Sequence, residues 1–152
     1  MVKKIAGILL MASVWGSAAE LHATCSGCSI GKEKLQCDYY VAGRGDKSRQ
    51  EQCRIYADYV NIDGAYPKAA WYYLLAGVPQ KALEAARKGL EQKQRYGREY
   101  LALALWITGK RKEAKKELGR FFSDVPKHDY FERDRKVLLA LYPGKDLQEF
   151  RP

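Results

Sequence analysis

Four cysteines and two histidines carry most of the chemistry this sequence could do. Cys25, Cys28, Cys37 and Cys53 cluster near the start of the chain, and His22 and His128 are the two histidines. A zinc site would draw on His22, Cys25 and Cys28 with Cys37 or Cys53. Paired-knuckle spacing is missing from the second half of that set, so no metal is expected. Ser29 stands where a c-type haem motif has its histidine, which excludes haem attachment. A thioredoxin-like active site places its CxxC at a helix N-terminus after a strand, and no βαβ pattern surrounds Cys25 and Cys28. Disulfides are the remaining use of four clustered thiols.

Four cysteines allow three pairings. Closing the short Cys25–Cys28 loop removes little unfolded-state entropy, whereas crossing either residue to Cys37 or Cys53 removes more. Against the crossed pairings, Cys37 and Cys53 sit symmetrically about Gly45 in the turn Gly43-Arg44-Gly45-Asp46-Lys47. Helices on both flanks would bring them face to face across a hairpin and leave Cys25 and Cys28 as a CxxC. Both arrangements stay open at this level. The second leaves room for a thiol–disulfide redox protein working through Cys25 and Cys28.

The rest of the sequence argues against catalysis. It contains no glycine-rich phosphate loop, no nucleophile elbow and no HExxH. The acidic residues mostly fall opposite apolar faces, and His128 reads as a surface or helix-start residue rather than a general base. A non-enzymatic protein without cofactor is expected.

The first nineteen residues explain why thiols would oxidise. Lys3 and Lys4 precede an uncharged run from Ile5 to Trp15, and Gly16, Ser17, Ala18 and Ala19 follow. A basic start, a short apolar run and small residues form a secretory signal peptide, cut between Ala19 and Glu20. The apolar stretch is shorter than the ~20 residues a membrane-spanning helix needs. His22 occupies the position where a lipobox has leucine, which argues against acylation of Cys25. A periplasmic or secreted protein is expected, and export makes nucleic acid a poor candidate target.

Beyond Lys47 the pattern is helical. Cys53, Tyr56, Ala57 and Val60 mark one face at helical spacing. Helices are then expected over Lys68–Ala76, Pro79–Lys93, Arg95–Thr108, Lys110–Phe122 and Asp129–Leu141. Prolines at 67 and 79 fall at helix starts, where the missing N–H costs least, and Gly64, Gly77 and Gly109 act as stops. No convincing period-2 run is present, so the expected fold is all-α. The expected division is a signal peptide (1–19), a cysteine-bearing segment (20–47) and a helical region (48–152), with residues 20–152 forming one unit.

The helices repeat. A shift of 32 residues superimposes Ala70 on Ala102, Gly77 on Gly109 and Ala82 on Ala114. Tyr66, Ala69, Ala70, Tyr73, Gly77, Ala82, Ala86 and Gly89 form one copy. Leu101, Ala102, Leu105, Gly109, Ala114, Leu118, Phe121 and Pro126 form the next. In this pattern the chain resembles the tetratricopeptide-repeat family, with a second register that resembles Sel1-like repeats. It departs from the family at Arg98, where an aromatic is usual, and at Gln94, where the closing proline would stand. The resemblance implies a short stack of antiparallel helical hairpins, completed by a degenerate hairpin over Ser29–Asn61 and a last capping helix. It also implies a concave groove for a protein or peptide partner in the cell envelope, lined by Trp71, Leu74, Leu75, Tyr96, Glu99, Leu103, Trp106 and Ile107. The same residues could instead be covered as ordinary core.

Charge supplies a second surface. The chain of 152 residues carries a net +9, with 47% apolar and 30% charged residues, which excludes a disordered acidic chain or a multi-span membrane protein. Loss of Lys3 and Lys4 with the signal would leave 133 residues at +7. Lys110 to Arg120 holds six positive and two negative residues of that balance. Lys112, Lys115, Lys116 and Arg120 share one face, suited to anionic head groups, acidic glycans or an acidic partner, or simply to water.

Overall fold

The placement of proline and glycine decides several of the helix starts and ends. In a computed structural model of the chain, residues 30–43, 47–126 and 130–152 are described. Seven α-helices and no strand occur among the described residues. They are α1 (Ile30–Val41), α2 (Lys47–Ile62), α3 (Tyr66–Leu75), α4 (Pro79–Glu91), α5 (Gly97–Ile107), α6 (Arg111–Asp124) and α7 (Tyr130–Leu141), followed by a 3-10 turn, Leu147–Glu149. Pro67 and Pro79 lie in the first turns of α3 and α4, where no intrahelical N–H is required. Helix α3 therefore starts at Tyr66, two residues before the expected Lys68, because the proline is accommodated inside the first turn.

The two repeated hairpins close in the same way. Gly77 and Gly109 adopt φ of +75° and +87°. In each case the following amide reaches five residues back, Val78 N–H to the Tyr73 carbonyl at 3.0 Å and Lys110 N–H to the Leu105 carbonyl at 2.8 Å. A left-handed residue just past the last helical turn satisfies orphan carbonyls and reverses the chain, and glycine adopts it without a Cβ clash. The α4 end uses the same bond, Gln94 N–H to the Gly89 carbonyl at 2.8 Å, but places Lys93 in the left-handed conformation at φ +59°.

Consecutive helices pack against each other from α1 to α6, and α3 also meets α5 and α7. The result is an all-α fold of packed helices around one core, the fold class the sequence predicts. Small residues set its closeness: Ala57, Ala69, Ala70, Ala82, Ala86, Ala102, Ala104 and Ala114 are fully buried. Gly97 marks a close backbone approach of α5 to α4, since a Cβ there would lie 2.9 Å from the Ala86 carbonyl oxygen. Arg98, the departure from the repeat pattern, bridges α5 to α6 through Glu117 at 2.7 Å, both side chains being largely shielded.

Cys37 and Cys53 form a disulfide across α1 and α2, with Cα atoms 4.7 Å apart and both residues fully buried. The hairpin pairing is thus the one adopted, and the crossed pairings of Cys37 or Cys53 with Cys25 or Cys28 are not. The clamped hairpin runs across residues 47 and 48, so the cysteine-bearing segment and the helical region share one packed element. Residues 1–19, expected to form a signal peptide, lie outside the described residues, as do His22, Cys25, Cys28 and His128.

Candidate functional site

The expected groove is largely occupied by the chain itself. Leu74, Leu75, Leu103, Trp106 and Ile107 are buried to within a few per cent, Glu99 is 1% exposed, and Trp71 is half-buried against Tyr100. The covering elements are α7 and the C-terminal residues. Tyr142 donates its hydroxyl to the Leu74 carbonyl at 2.6 Å. Trp106 stacks on Phe150 with ring centres 4.5 Å apart and donates its indole N–H to the Lys145 carbonyl at 2.8 Å. An open groove at Leu74, Leu75, Glu99, Leu103, Trp106 and Ile107 is therefore not formed. In so short a stack, the last helix and the residues after it fold back over the inner face.

Tyr96 is the exception. It is 45% exposed and lies in a hollow of about 480 Å³ between two turns, with Ala65, Pro67, Lys68, Lys93, Gln94 and Arg95. The floor is apolar and the rim is cationic, with no acidic residue in the lining. Two features hold it in shape. Gln94 donates its side-chain amide to the Gly64 carbonyl at 3.0 Å, tying the two turns together, and the Arg95 guanidinium lies 5.8 Å from the centre of the Tyr96 ring. Lys93 projects from the left-handed turn, a conformation non-glycine residues rarely adopt and one that is frequent at binding sites. Sequence reasoning picked out Tyr96 but missed Lys68, Lys93 and Arg95. Their signal was a basic, aromatic tetrapeptide, Lys93 to Tyr96, between two strongly periodic helices.

The basic residues Lys112, Lys115, Lys116 and Arg120 lie on α6 and are all exposed. Arg120 is paired with Glu117 at 2.8 Å, and the Lys115 ammonium lies 6.0 Å from the Trp106 ring centre. Arg111, also on α6, is engaged otherwise: its guanidinium lies 4.8 Å over Trp106 and pairs with Asp146 at 2.5 Å.

Two carboxylate clusters were not anticipated. Asp58 accepts from the Tyr73 hydroxyl at 2.6 Å, pairs with Arg54 at 2.5 Å and meets Lys81 at 3.1 Å, beside a polar cleft of about 220 Å³. Burial works to raise the Asp58 pKa, but these hydrogen bonds and cations outweigh it and leave the carboxyl below its ordinary range. The group locks α2, α3 and α4 together and is committed to its partners. The second cluster joins α5 to α7, where Asp134 is 1% exposed, pairs with Arg133 at 2.9 Å and accepts from Tyr100 at 3.3 Å. Burial pushes the neighbouring Glu99 carboxyl up to about 8, with Asp134 adding to the rise and Arg133 opposing it. Tyr100 is raised too, first by burial and then by the two carboxylates.

Among the described residues, no group of three or more His, Cys, Asp or Glu could hold a metal ion, and no helix is long and apolar enough to cross a membrane. No protein-family model, curated protein or solved structure matches the chain.

Proposed function

We propose that this protein is an exported, non-catalytic adaptor of the tetratricopeptide-repeat type, which docks a protein or peptide partner in the cell envelope. The hollow around Tyr96 carries this reading. It is an open apolar floor rimmed by Lys68, Lys93 and Arg95, and it fits a segment presenting a bulky apolar side chain beside acidic residues. The signal-peptide pattern of residues 1–19, the repeat spacing and the buried disulfide are consistent with an envelope protein of this kind. The test is site-specific photo-crosslinking from position 96 in the envelope fraction, with and without Lys93→Glu and Arg95→Glu. A discrete adduct that disappears with the charge reversals supports docking at the hollow. Adducts that persist, or that match those from a control position on α4, rule it out.

The basic face of α6 offers the adaptor a second contact, with an anionic surface. Retention on anionic vesicles at low salt that falls with Lys112→Glu and Lys116→Glu supports it. Equal retention on neutral vesicles removes it.

One observation keeps a redox reading in play. Because Cys37 pairs with Cys53, Cys25 and Cys28 remain as each other's nearest partners in sequence. A thiol–disulfide protein using this CxxC would trap substrates as mixed disulfides once Cys28→Ser leaves the first thiolate without a resolving thiol. Accumulation of covalent partners on the Cys28→Ser protein, absent after Cys25→Ser, favours this function. Their absence returns the pair to a structural bridge.

A further inference from the structure

We propose that the end of the stack formed by Trp106, Arg111 and Lys115 is a peptide-binding site for an acidic segment carrying a phenylalanine, and that residues 146–150 of the chain occupy it as an internal ligand. The sequence there is Asp146-Leu147-Gln148-Glu149-Phe150, which follows the Pro143-Gly144 break after α7. It makes only one 3-10 turn of its own and takes its shape from the surface beneath. Each recognition element of that surface meets a complementary one in the segment. The Trp106 ring stacks on Phe150, and the Arg111 guanidinium also lies over it, 4.8 Å from its centre. Arg111 also pairs with Asp146 at 2.5 Å and approaches Glu149 at 3.9 Å. The indole N–H donates to the carbonyl of Lys145, the residue that leads into the segment, and the Arg135 guanidinium on α7 donates to the Leu147 carbonyl at 2.9 Å.

Aromatic anchors in a pocket, a guanidinium fork for carboxylates and main-chain carbonyls taken by side-chain donors are the usual means of holding an extended peptide. All four donors and rings belong to α5, α6 and α7, whereas the acids and the phenylalanine belong to the segment. The ion pairs sit about half in solvent and hold weakly, so Leu147 and Phe150, both fully buried, supply most of the grip. Burying two side chains must offset the ordering of residues 146–150, which leaves exchange with a segment of the same chemistry within reach. A partner presenting an acidic, phenylalanine-bearing stretch would compete with the chain's own terminus. The site is separate from the hollow at Tyr96, which lies at the opposite end of α5, about 15 Å away along the helix axis.

The test uses a fluorescein-labelled peptide of residues 143–152 and its binding to the full-length protein, read by fluorescence anisotropy. In one variant, Asp146→Lys with Glu149→Lys repels the chain's own segment from Arg111. This variant should bind the peptide at least tenfold more tightly than the unmodified protein. Adding Arg111→Glu should abolish the gain, and a peptide with Phe150→Ala should not bind. Tyr96→Ala should leave peptide binding unchanged, so that failure of the docking hollow and failure of this site are read apart. Equal binding by variant and parent, or no binding to a folded variant, overturns the proposal. Phe150→Ala in the protein is the second variant. If it loses its native circular dichroism, recovery on adding the peptide supports an exchangeable ligand. Loss that the peptide does not reverse shows the segment to be inseparable core and overturns the proposal.

Discussion

Replacing Glu99 by glutamine should remove a pH dependence built into the junction of α5 and α7. Glu99 is 1% exposed, with Asp134 raising its pKa further and Arg133 as the opposing cation. Its carboxyl moves from an ordinary 4.5 to about 8 in the folded protein. Between those values the folded state keeps a proton that the unfolded state releases. The contribution is therefore full below about pH 4.5, declines as pH rises through the window and is lost above about pH 8. At about 1.4 kcal/mol per unit, the shift sets an upper limit of about 5 kcal/mol, and relaxation around a charged Glu99 should bring it to about 2–4 kcal/mol. Glutamine keeps the shape and does not titrate. Urea denaturation of both proteins at pH 5, 7 and 9, followed by circular dichroism with the disulfide intact, gives the difference directly. The Glu99→Gln protein should be about equal to or slightly less stable than the parent at pH 5. By pH 9 it should be more stable by about 2–4 kcal/mol, or roughly 10 °C in Tm. Titrations common to both proteins cancel in the difference, and Asp134→Asn controls for coupling between the two carboxyls. A difference that stays flat from pH 5 to pH 9 would refute the assignment of Glu99 as a buried, neutral acid.

The Cys37–Cys53 bridge closes a loop of sixteen residues' separation, so its removal by Cys37→Ser with Cys53→Ser should cost about 3 kcal/mol and lower the melting temperature accordingly. Gly97→Ala drives a methyl group toward the Ala86 carbonyl and should destabilise by about 1–3 kcal/mol. Gly119→Ala, on the open face of α6, should be neutral or stabilise by up to about 1 kcal/mol in the same denaturation assay. Trp106→Ala should cost about 3–5 kcal/mol and release the C-terminal residues to limited proteolysis, whereas Tyr96→Ala should leave the melting curve unchanged.

Most of the secondary structure could be read from local chemistry. Pro67 and Pro79 tolerate only the first turn of a helix, and Gly77 and Gly109 reach the left-handed turn that few other residues adopt, so the 32-residue repeat of hairpins follows from short-range constraints. The symmetry of Cys37 and Cys53 about Gly45 made the hairpin pairing one of the arrangements the sequence left open, and the packing of α1 on α2 selected it over the crossed pairings. The start of α5 was placed two residues early. Arg95 and Tyr96 look like helix on composition but belong to the turn that begins at Lys93.

The candidate site was legible only in part. Trp71, Tyr96 and Trp106 share the same kind of helical spacing, yet one is half-buried, one exposed and one covered. Periodicity marks a face as apolar and does not say what lies on it. Residues 142–150 lie beyond the last helix expected from the sequence, and it is their Phe150, Leu147 and Tyr142 that close over Leu74 and Trp106. Glu99 and Asp134 could not be paired from sequence because they meet through helices 35 positions apart. The residue types along the chain thus set the helices and most of their turns, which depend on neighbours close in sequence, whereas the choice among cysteine pairings waited for α1 to pack on α2. Which apolar face is core, which carboxyl is held neutral and where a surface stays open were decided only when distant helices packed, since burial is a property of what covers a residue rather than of the residue alone.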